Sequence, residues 1–319
     1  YNQSMKITIN HQPVDVKDGI TIMEACQSVG IDIPSLCFLK DISSNASCGI
    51  CVVEVKGARS LLRSCITKVA EGMEILTTSP RVLEARKVNV ELLLANHPQD
   101  CLQCDRNLNC ELQRLSFELG IKERHFVRTR KKYLPKDETS LSLVRDPEKC
   151  ILCGRCVAVC SDMQSVNAID FSGRGLNTSI STFFDKGLGA TYCTNCGQCS
   201  LVCPTGAITE KTSVPQVWKE ILNPEKMVLI QTAPAVRVGI GEAMGMPYGS
   251  LVTGQMVAGL KRLGFSKVFD TNFAADLTIM EEANELMQRI RQNGVLPMIT
   301  SCSPGWIKFI EHVFPQLLP

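Results

Sequence analysis

Between residues 5 and 80, apolar and polar residues alternate in short runs, a spacing that predicts strands around a single helix. Lys6-Ile7-Thr8-Ile9 and Pro13-Val14-Asp15-Val16 each send every second side chain to one face, the pattern of a hairpin. Thr21 followed by Glu24 is a capping-box sequence, and it opens a short helix ending near Gly30. Residues 50–55 (ICVVEV) are strongly β-prone and are closed by Lys56-Gly57. Ser79-Pro80 then supplies an N-cap and a first-turn proline. The run RVLEARKVNVELLLAN that follows keeps helical spacing up to His97-Pro98.

The pattern changes twice more. Residues 134–144 are polar and read as a linker. Two similar blocks follow, EKCILCGRCVAVC and TYCTNCGQCSLVC, which form an internal repeat. Beyond 213 the chain alternates between strand and helix. MVLIQTAP, KVFDTNF and VLPMITS read as strands, and 253–263 and 275–292 as helices, which predicts a parallel α/β unit. The expected fold is therefore α+β and multi-domain, divided at 1–79, 80–133, 134–212 and 213–319.

Composition narrows the functional classes. The chain has 319 residues, 45% of them hydrophobic, and a net charge of +2, which gives no electrostatic case for nucleic acid or an anionic membrane. No apolar run reaches the ~18–20 residues of a membrane span. The first residues lack the pattern of a secretory signal. A cytoplasmic setting is expected, and there seventeen cysteines indicate metal or redox chemistry in place of disulfides.

Fifteen of those cysteines and one histidine fall into four sets of four. The repeat gives Cys150, Cys153, Cys156 and Cys160, then Cys193, Cys196, Cys199 and Cys203. Three cysteines spaced by two residues reach three corners of a [4Fe–4S] cube, and in two-cluster ferredoxins the fourth corner comes from the other repeat. One cluster is thus expected on Cys150, Cys153, Cys156 and Cys203, and the other on Cys193, Cys196, Cys199 and Cys160. Zinc more often takes two separated pairs.

Cys37, Cys48, Cys51 and Cys65 suit a [2Fe–2S] cluster on a β-grasp loop, with a longer first gap than the plant type. Gly49 there is expected to let backbone amides approach the sulfurs. His97, Cys101, Cys104 and Cys110 suit a third [4Fe–4S] cluster. A zinc site of three cysteines and one histidine is the competing reading, and the position between two iron–sulfur modules favours the cluster. Two cysteines remain. Cys26 lies on the apolar side of the first helix and reads as packing. Cys302 follows a predicted parallel strand, where α/β folds place chemistry, and the packing and functional readings stay open.

The order of these sets resembles the electron-relay half of the iron-only ([FeFe]) hydrogenases. The same half occurs, less closely, in the iron–sulfur subunits of NADH and formate dehydrogenases. Thr232-Ala-Pro-Ala235, the run FDTNFAADLTIMEE at 269–282 and ITSCSPGW at 299–306 resemble the hydrogenase catalytic domain. The resemblance implies a site for the H-cluster, a [4Fe–4S] cube joined to a diiron unit, and the reaction 2H⁺ + 2e⁻ ⇌ H2. It places Ala233 and Pro234 in the diiron pocket, Cys302 at the proton carrier's position and Ser303 where the family often has a cube-ligating cysteine, and both roles, proton carrier and cube ligand, stay open for Cys302. Serine is a poor ligand beside a thiolate. The family's later active-site motifs do not occur within 1–319, so a complete H-cluster requires residues beyond Pro319. The implied partners are flavin- and iron–sulfur-containing NAD(P)H-oxidising subunits and ferredoxin, as in electron-bifurcating assemblies. Two other readings stand beside it: a non-catalytic electron-transfer or redox-sensing subunit, and a relay subunit of an NADH or formate dehydrogenase.

Overall fold

The computed structural model describes residues 4–123, 125–129 and 133–318 and is mixed α and β. The N-terminal hairpin forms as the alternation predicts. β1 (Ser4–Ile9) and β2 (Gln12–Lys17) pair antiparallel with Ile7 opposite Val14. Helix α1 (Ile22–Ser28) starts at the Thr21–Glu24 capping box. Glu24 N donates to Thr21 Oγ1 at 3.2 Å, and Thr21 N donates to Glu24 Oε2 at 2.7 Å. The helix buries Ile22, Met23, Ala25 and Cys26 against Ile7, Ile9, Val53 and Ile75. Strands β3 (Val52–Val55), β4 (Leu62–Arg63) and β5 (Glu74–Leu76) complete a five-stranded sheet of order β2-β1-β5-β3-β4.

Helix α2 (Pro80–Ala95) is capped by Ser79, whose hydroxyl accepts from Val82 N at 3.3 Å. It packs with α3 (Glu111–Glu118) by means of Val90, Leu112 and Leu115, and the same cluster contains Leu36 and Ile50 from the cysteine loop of the sheet domain.

The repeat is built on β6 (Leu143–Arg145), α4 (Arg155–Ala158), β7 (Asp170–Ser172), β8 (Ser179–Ser181), α5 (Gln198–Leu201) and β9 (Ile208–Glu210). Antiparallel pairing of β6 with β9 closes the unit, and β7 pairs with β8. The expected linker at 134–144 is instead part of this unit. Asp137 N donates to Arg145 O at 2.7 Å, and Arg145 N returns a bond to Asp137 O at 2.9 Å. The segment's polar residues bond to parts of the chain far from it in sequence, which local composition cannot show.

Residues Thr212–Cys302 form a separate compact unit, whereas Ser303–Leu318 belong with the first. The separate unit contains α6 (Val214–Ile221), β10 (Leu229–Thr232), α7 (Val236–Ala243), α8 (Thr253–Leu263), β11 (Lys267–Asp270) and α9 (Thr271–Arg291). Strands β10 and β11 are parallel, as expected. Two readings need correction. The second strand ends at Asp270, whose carboxylate accepts from Asn272 N at 2.9 Å and starts α9 four residues before the expected helix. VLPMITS is not a strand. Pro297 within it has no N–H to give a ladder. Helix α10 (Pro304–Val313) follows, with Trp306 stacked on Phe309.

Candidate metal centres

The sheet domain gathers Cys37, Cys48, Cys51 and Cys65. Cys37 and Cys48 sulfurs lie 3.4 Å apart, and Cys51 and Cys65 sulfurs 3.3 Å apart. Those distances exceed a disulfide bond. The two sulfurs of each pair are within hydrogen-bond distance. The Cys48 thiol draws Cys37 down to about 5, and the Cys65 thiol draws Cys51 down to about 6. The partners Cys48 and Cys65 move up, first through that same bond and then because each is buried. Cys65 also feels charge on Cys51, Cys37 and Cys48, so the four sulfurs act as one site. Leu36 N points at Cys48 Sγ from 3.5 Å, a donor that suits a bound sulfur. At Gly49 φ is +65°, the amide of Ile50 that follows it faces the Cys48 sulfur as expected, and a Cβ at 49 would stand 3.0 Å from Asn89 Nδ2.

The second set lies where α2 ends and α3 begins. Cys110 is the N-cap residue of α3, and the amides of Leu112 and Gln113 face its sulfur. Burial pushes the Cys110 thiol up against those amides, and charge on Cys104 and Cys101 adds to the rise. His97 Nδ1 lies 3.2 Å from Pro98 O. A carbonyl only accepts, so Nδ1 carries the proton and the buried Nε2 holds the lone pair a metal needs. Gly206 approaches this set so closely that a Cβ would stand 2.6 Å from Cys104 Sγ.

In the repeat, each short helix opens on a turn of the same shape. Leu152 and Asn195 both have φ of +57°, and Gly154 and Gly197 have φ of +78° and +76°. Gly154 has a second constraint, because a Cβ there would meet Asn45 Nδ2 at 2.3 Å. Cys150, Cys153, Cys156 and Cys203 line one small cavity with Thr205 and Ile208. Burial pushes Cys153 up to about 12, and the charges acting on it include those of Cys203 and Cys150. Cys156 also rises by burial, and then by charge on Cys150, Cys153, Cys203 and Cys199. Cys199 rises to about 12 by burial and then by Cys193, Cys196 and Cys160. The structure thus brings the fourth cysteine of each repeat to the other repeat's first three. Burial disfavours free thiolates here, and cationic iron supplies the charge that would offset it. Among the described residues, no three His, Cys, Asp or Glu side chains converge on a point that a single ion could occupy.

Of the residues implicated in the diiron pocket, Ala233, Pro234 and Cys302 belong to the second compact unit. Ala233 and Pro234 are exposed in the turn between β10 and α7, and Pro234 O accepts from Arg237 Nε at 3.1 Å. Cys302 is exposed. Ser303 is the N-cap residue of α10, its hydroxyl accepting from Trp306 N at 3.4 Å. These residues present one thiol, so they do not by themselves fit a four-thiolate cube. Cys26 is fully buried, and burial raises its thiol to about 11. No local pattern marks Asn45, Arg86, Glu111 or Arg155, whose contacts to the cysteine segments are long-range.

Residues 226–319 match the "Iron only hydrogenase large subunit, C-terminal domain" family model. The "NADP-reducing hydrogenase subunit HndD" of Solidesulfovibrio fructosivorans is 46% identical over 98% of this chain and 55% of its own length. The chain is thus similar to iron-only hydrogenases along nearly all of its length. Upstream matches are a 2Fe-2S cluster binding domain at 2–80, the NADH-ubiquinone oxidoreductase-G iron-sulfur binding region at 86–125 and a 4Fe-4S dicluster domain at 128–207. "Iron hydrogenase 1" of Clostridium pasteurianum is 40% identical over 98% of the chain and 54% of its own length. The chain thus spans about half the length of these curated relatives. A chain from the crystal structure of an NAD+-reducing [NiFe]-hydrogenase shares the fold, with a TM-score of 0.61 and 28% identity over 66% of this chain and 89% of that one. Among the described residues no helix is long and apolar enough to cross a membrane.

Proposed function

We propose that this chain is the electron-relay and partial catalytic portion of an [FeFe] hydrogenase subunit, acting in 2H⁺ + 2e⁻ ⇌ H2 in the cytoplasm. The observation that carries it is the gathering of buried and half-buried thiols from separate segments, above all Cys203 with Cys150, Cys153 and Cys156 around one cavity. In this reading there is one [2Fe–2S] cluster on Cys37, Cys48, Cys51 and Cys65. Three [4Fe–4S] clusters fall on the His97 set and on the two sets exchanged between repeats. The modules run 1–79, 80–133 and 134–212, and 213–319 begins the catalytic domain.

The clusters, when bound, supply one-electron transfer. The chain supplies thiolates, burial and amide donors such as Leu36 N. Cys302 is the one thiol available for proton delivery in the catalytic portion. NAD(P)H-oxidising partners carrying flavin and iron–sulfur groups, and ferredoxin, would exchange electrons with the [2Fe–2S] and His97 modules. The relatives' names support the NAD(P) link.

Iron analysis is expected to give about 14 Fe for the relay sets, from two plus three fours. Zinc in the His97 set would overturn that assignment. In the intact protein, Cys302→Ala should abolish hydrogen turnover while relay iron stays constant. Unchanged turnover would remove Cys302 from the reaction.

A further inference from the structure

Helix α2 presses two side chains, one turn apart, onto the loop that bears Cys48 and Cys51. Arg86 Nε donates to Ile50 O at 3.1 Å, and its Nη2 donates to Val52 O at 2.9 Å. Asn89 Nδ2 donates to Gly49 O at 2.7 Å. Arg86 is only 4% exposed. A buried guanidinium is costly unless negative charge faces it. Among the described residues Arg86 forms no ion pair with a carboxylate. Burial lowers its pKa, and the groups opposing that fall are the sulfurs of Cys51 and Cys26. Cys26 holds its proton, being raised by burial. Arg86 grips the carbonyls on both sides of Cys51, so the negative charge that faces it is that of Cys51 and whatever Cys51 binds.

We propose that Arg86 is a positioning residue of the Cys37, Cys48, Cys51 and Cys65 site and its fixed counter-charge, raising the reduction potential of the [2Fe–2S] cluster held there. The inference rests on the assignment of those four cysteines as the ligands. Its physics is direct. A cluster bound by four thiolates is anionic, and reduction adds one more negative charge. A buried cation beside Cys51 stabilises the reduced form more than the oxidised one, and net charge is among the levers on cluster potential. The two carbonyl bonds also hold Ile50 and Val52, which flank Cys51, so the loop keeps one shape in both states. Asparagine at 89 gives the same loop a neutral clamp.

The test is an EPR-monitored redox titration of the [2Fe–2S] signal in the intact protein. Cys65→Ala comes first. If it leaves that signal in place, the ligand assignment fails, and the role of Arg86 fails with it. If the signal disappears, the assignment stands and Arg86 is tested alone. Arg86→Gln should lower the ratio of reduced to oxidised cluster about tenfold at fixed ambient potential, a one-electron shift of ~59 mV. Arg86→Lys, which keeps the charge and loses the fork, should return the ratio to within about twofold of the parent, a fraction of that tenfold step. A fully assembled Arg86→Gln cluster with the parent's midpoint would overturn the proposal. Should Arg86→Gln fail to hold the cluster, Arg86→Lys decides. A cluster near the parent potential supports the counter-charge, and loss of the cluster there as well assigns Arg86 to loop structure alone and overturns it.

Discussion

Arg155 Nη1 lies 2.7 Å from Glu111 Oε1, and this contact joins two ligand segments 44 residues apart. Arg155 stands between Cys153 and Cys156, and Glu111 follows Cys110. The guanidinium's other arm donates to Ser35 O at 3.4 Å, two residues before Cys37. One buried cation thus touches segments of three ligand sets. Breaking a wholly buried pair costs about 3–5 kcal/mol, and the partial exposure of Glu111 reduces that. Glu111→Ala is expected to cost about 2 kcal/mol, leaving Arg155 without its carboxylate. Urea unfolding followed by cluster absorbance measures it. Glu111→Gln keeps an acceptor and should cost less. Equal costs for the two would mean that the charge does not matter there.

The exchange of cysteines between repeats makes a prediction that spacing in sequence would reverse. Cys203→Ser should remove the same cubane signal as Cys156→Ser, although Cys203 is closer in sequence to Cys199. Cys160→Ser should remove the signal that Cys199→Ser removes. EPR of the four single variants decides. Pairing of Cys203 with Cys199 would break the assignment.

Gly206 faces Cys104 with room for hydrogen only. A methyl at 206 would begin 2.6 Å from the sulfur, so one of the two must move. The backbone around Gly206 is held. Pro204 O accepts from Glu111 N at 3.0 Å, and Thr205 Oγ1 donates to Lys149 O at 2.8 Å. Cys104 is then the group that shifts. Gly206→Ala should reduce iron from about 14 toward about 10 per chain, the loss of one four-iron cluster. Both cubane signals of the repeat should remain. Loss of a repeat cubane in its place would show that residue 206 acts on Cys203.

How much of this was legible in the sequence depends on the range of the contacts. The starts of α1 and α2 were readable because Thr21–Glu24 and Ser79–Pro80 act within one turn. The turn shapes repeated at Leu152 and Asn195 follow from local cysteine spacing as well. The start of α9 was not, because Phe269 and Thr271 look β-prone and the cap at Asp270 is one side-chain bond. At the metal centres, the donor residues stand out by type and spacing. Their supports do not. Asn45 reaches Cys153 O across 108 residues, and Arg86 reaches Ile50 across 36. Nothing in the composition near either residue marks it.

Asp137 shows the same limit and gives a pH test. Its carboxylate accepts from Leu188 N at 2.8 Å and from Thr139 Oγ1 at 2.6 Å, and Arg145 lies 3.5 Å away. Burial alone would push this carboxyl up, but the Thr139 and Leu188 donors and the Arg145 charge outweigh it and hold it below the ordinary range. A depressed folded pKa contributes stability that is fully present above the unfolded value of about 4. That contribution disappears as pH falls through the lower folded value. Asp137→Asn should therefore lose stability near neutral pH, by about 2 kcal/mol if its bonds to charge are lost. Its stability should also fall less steeply than the parent's below about pH 4. Urea midpoints measured from pH 7 down to the onset of cluster loss compare the two slopes. Parallel slopes would show that Asp137 is not held ionised by the fold, and that its neighbours keep the 134–144 segment in place without its charge.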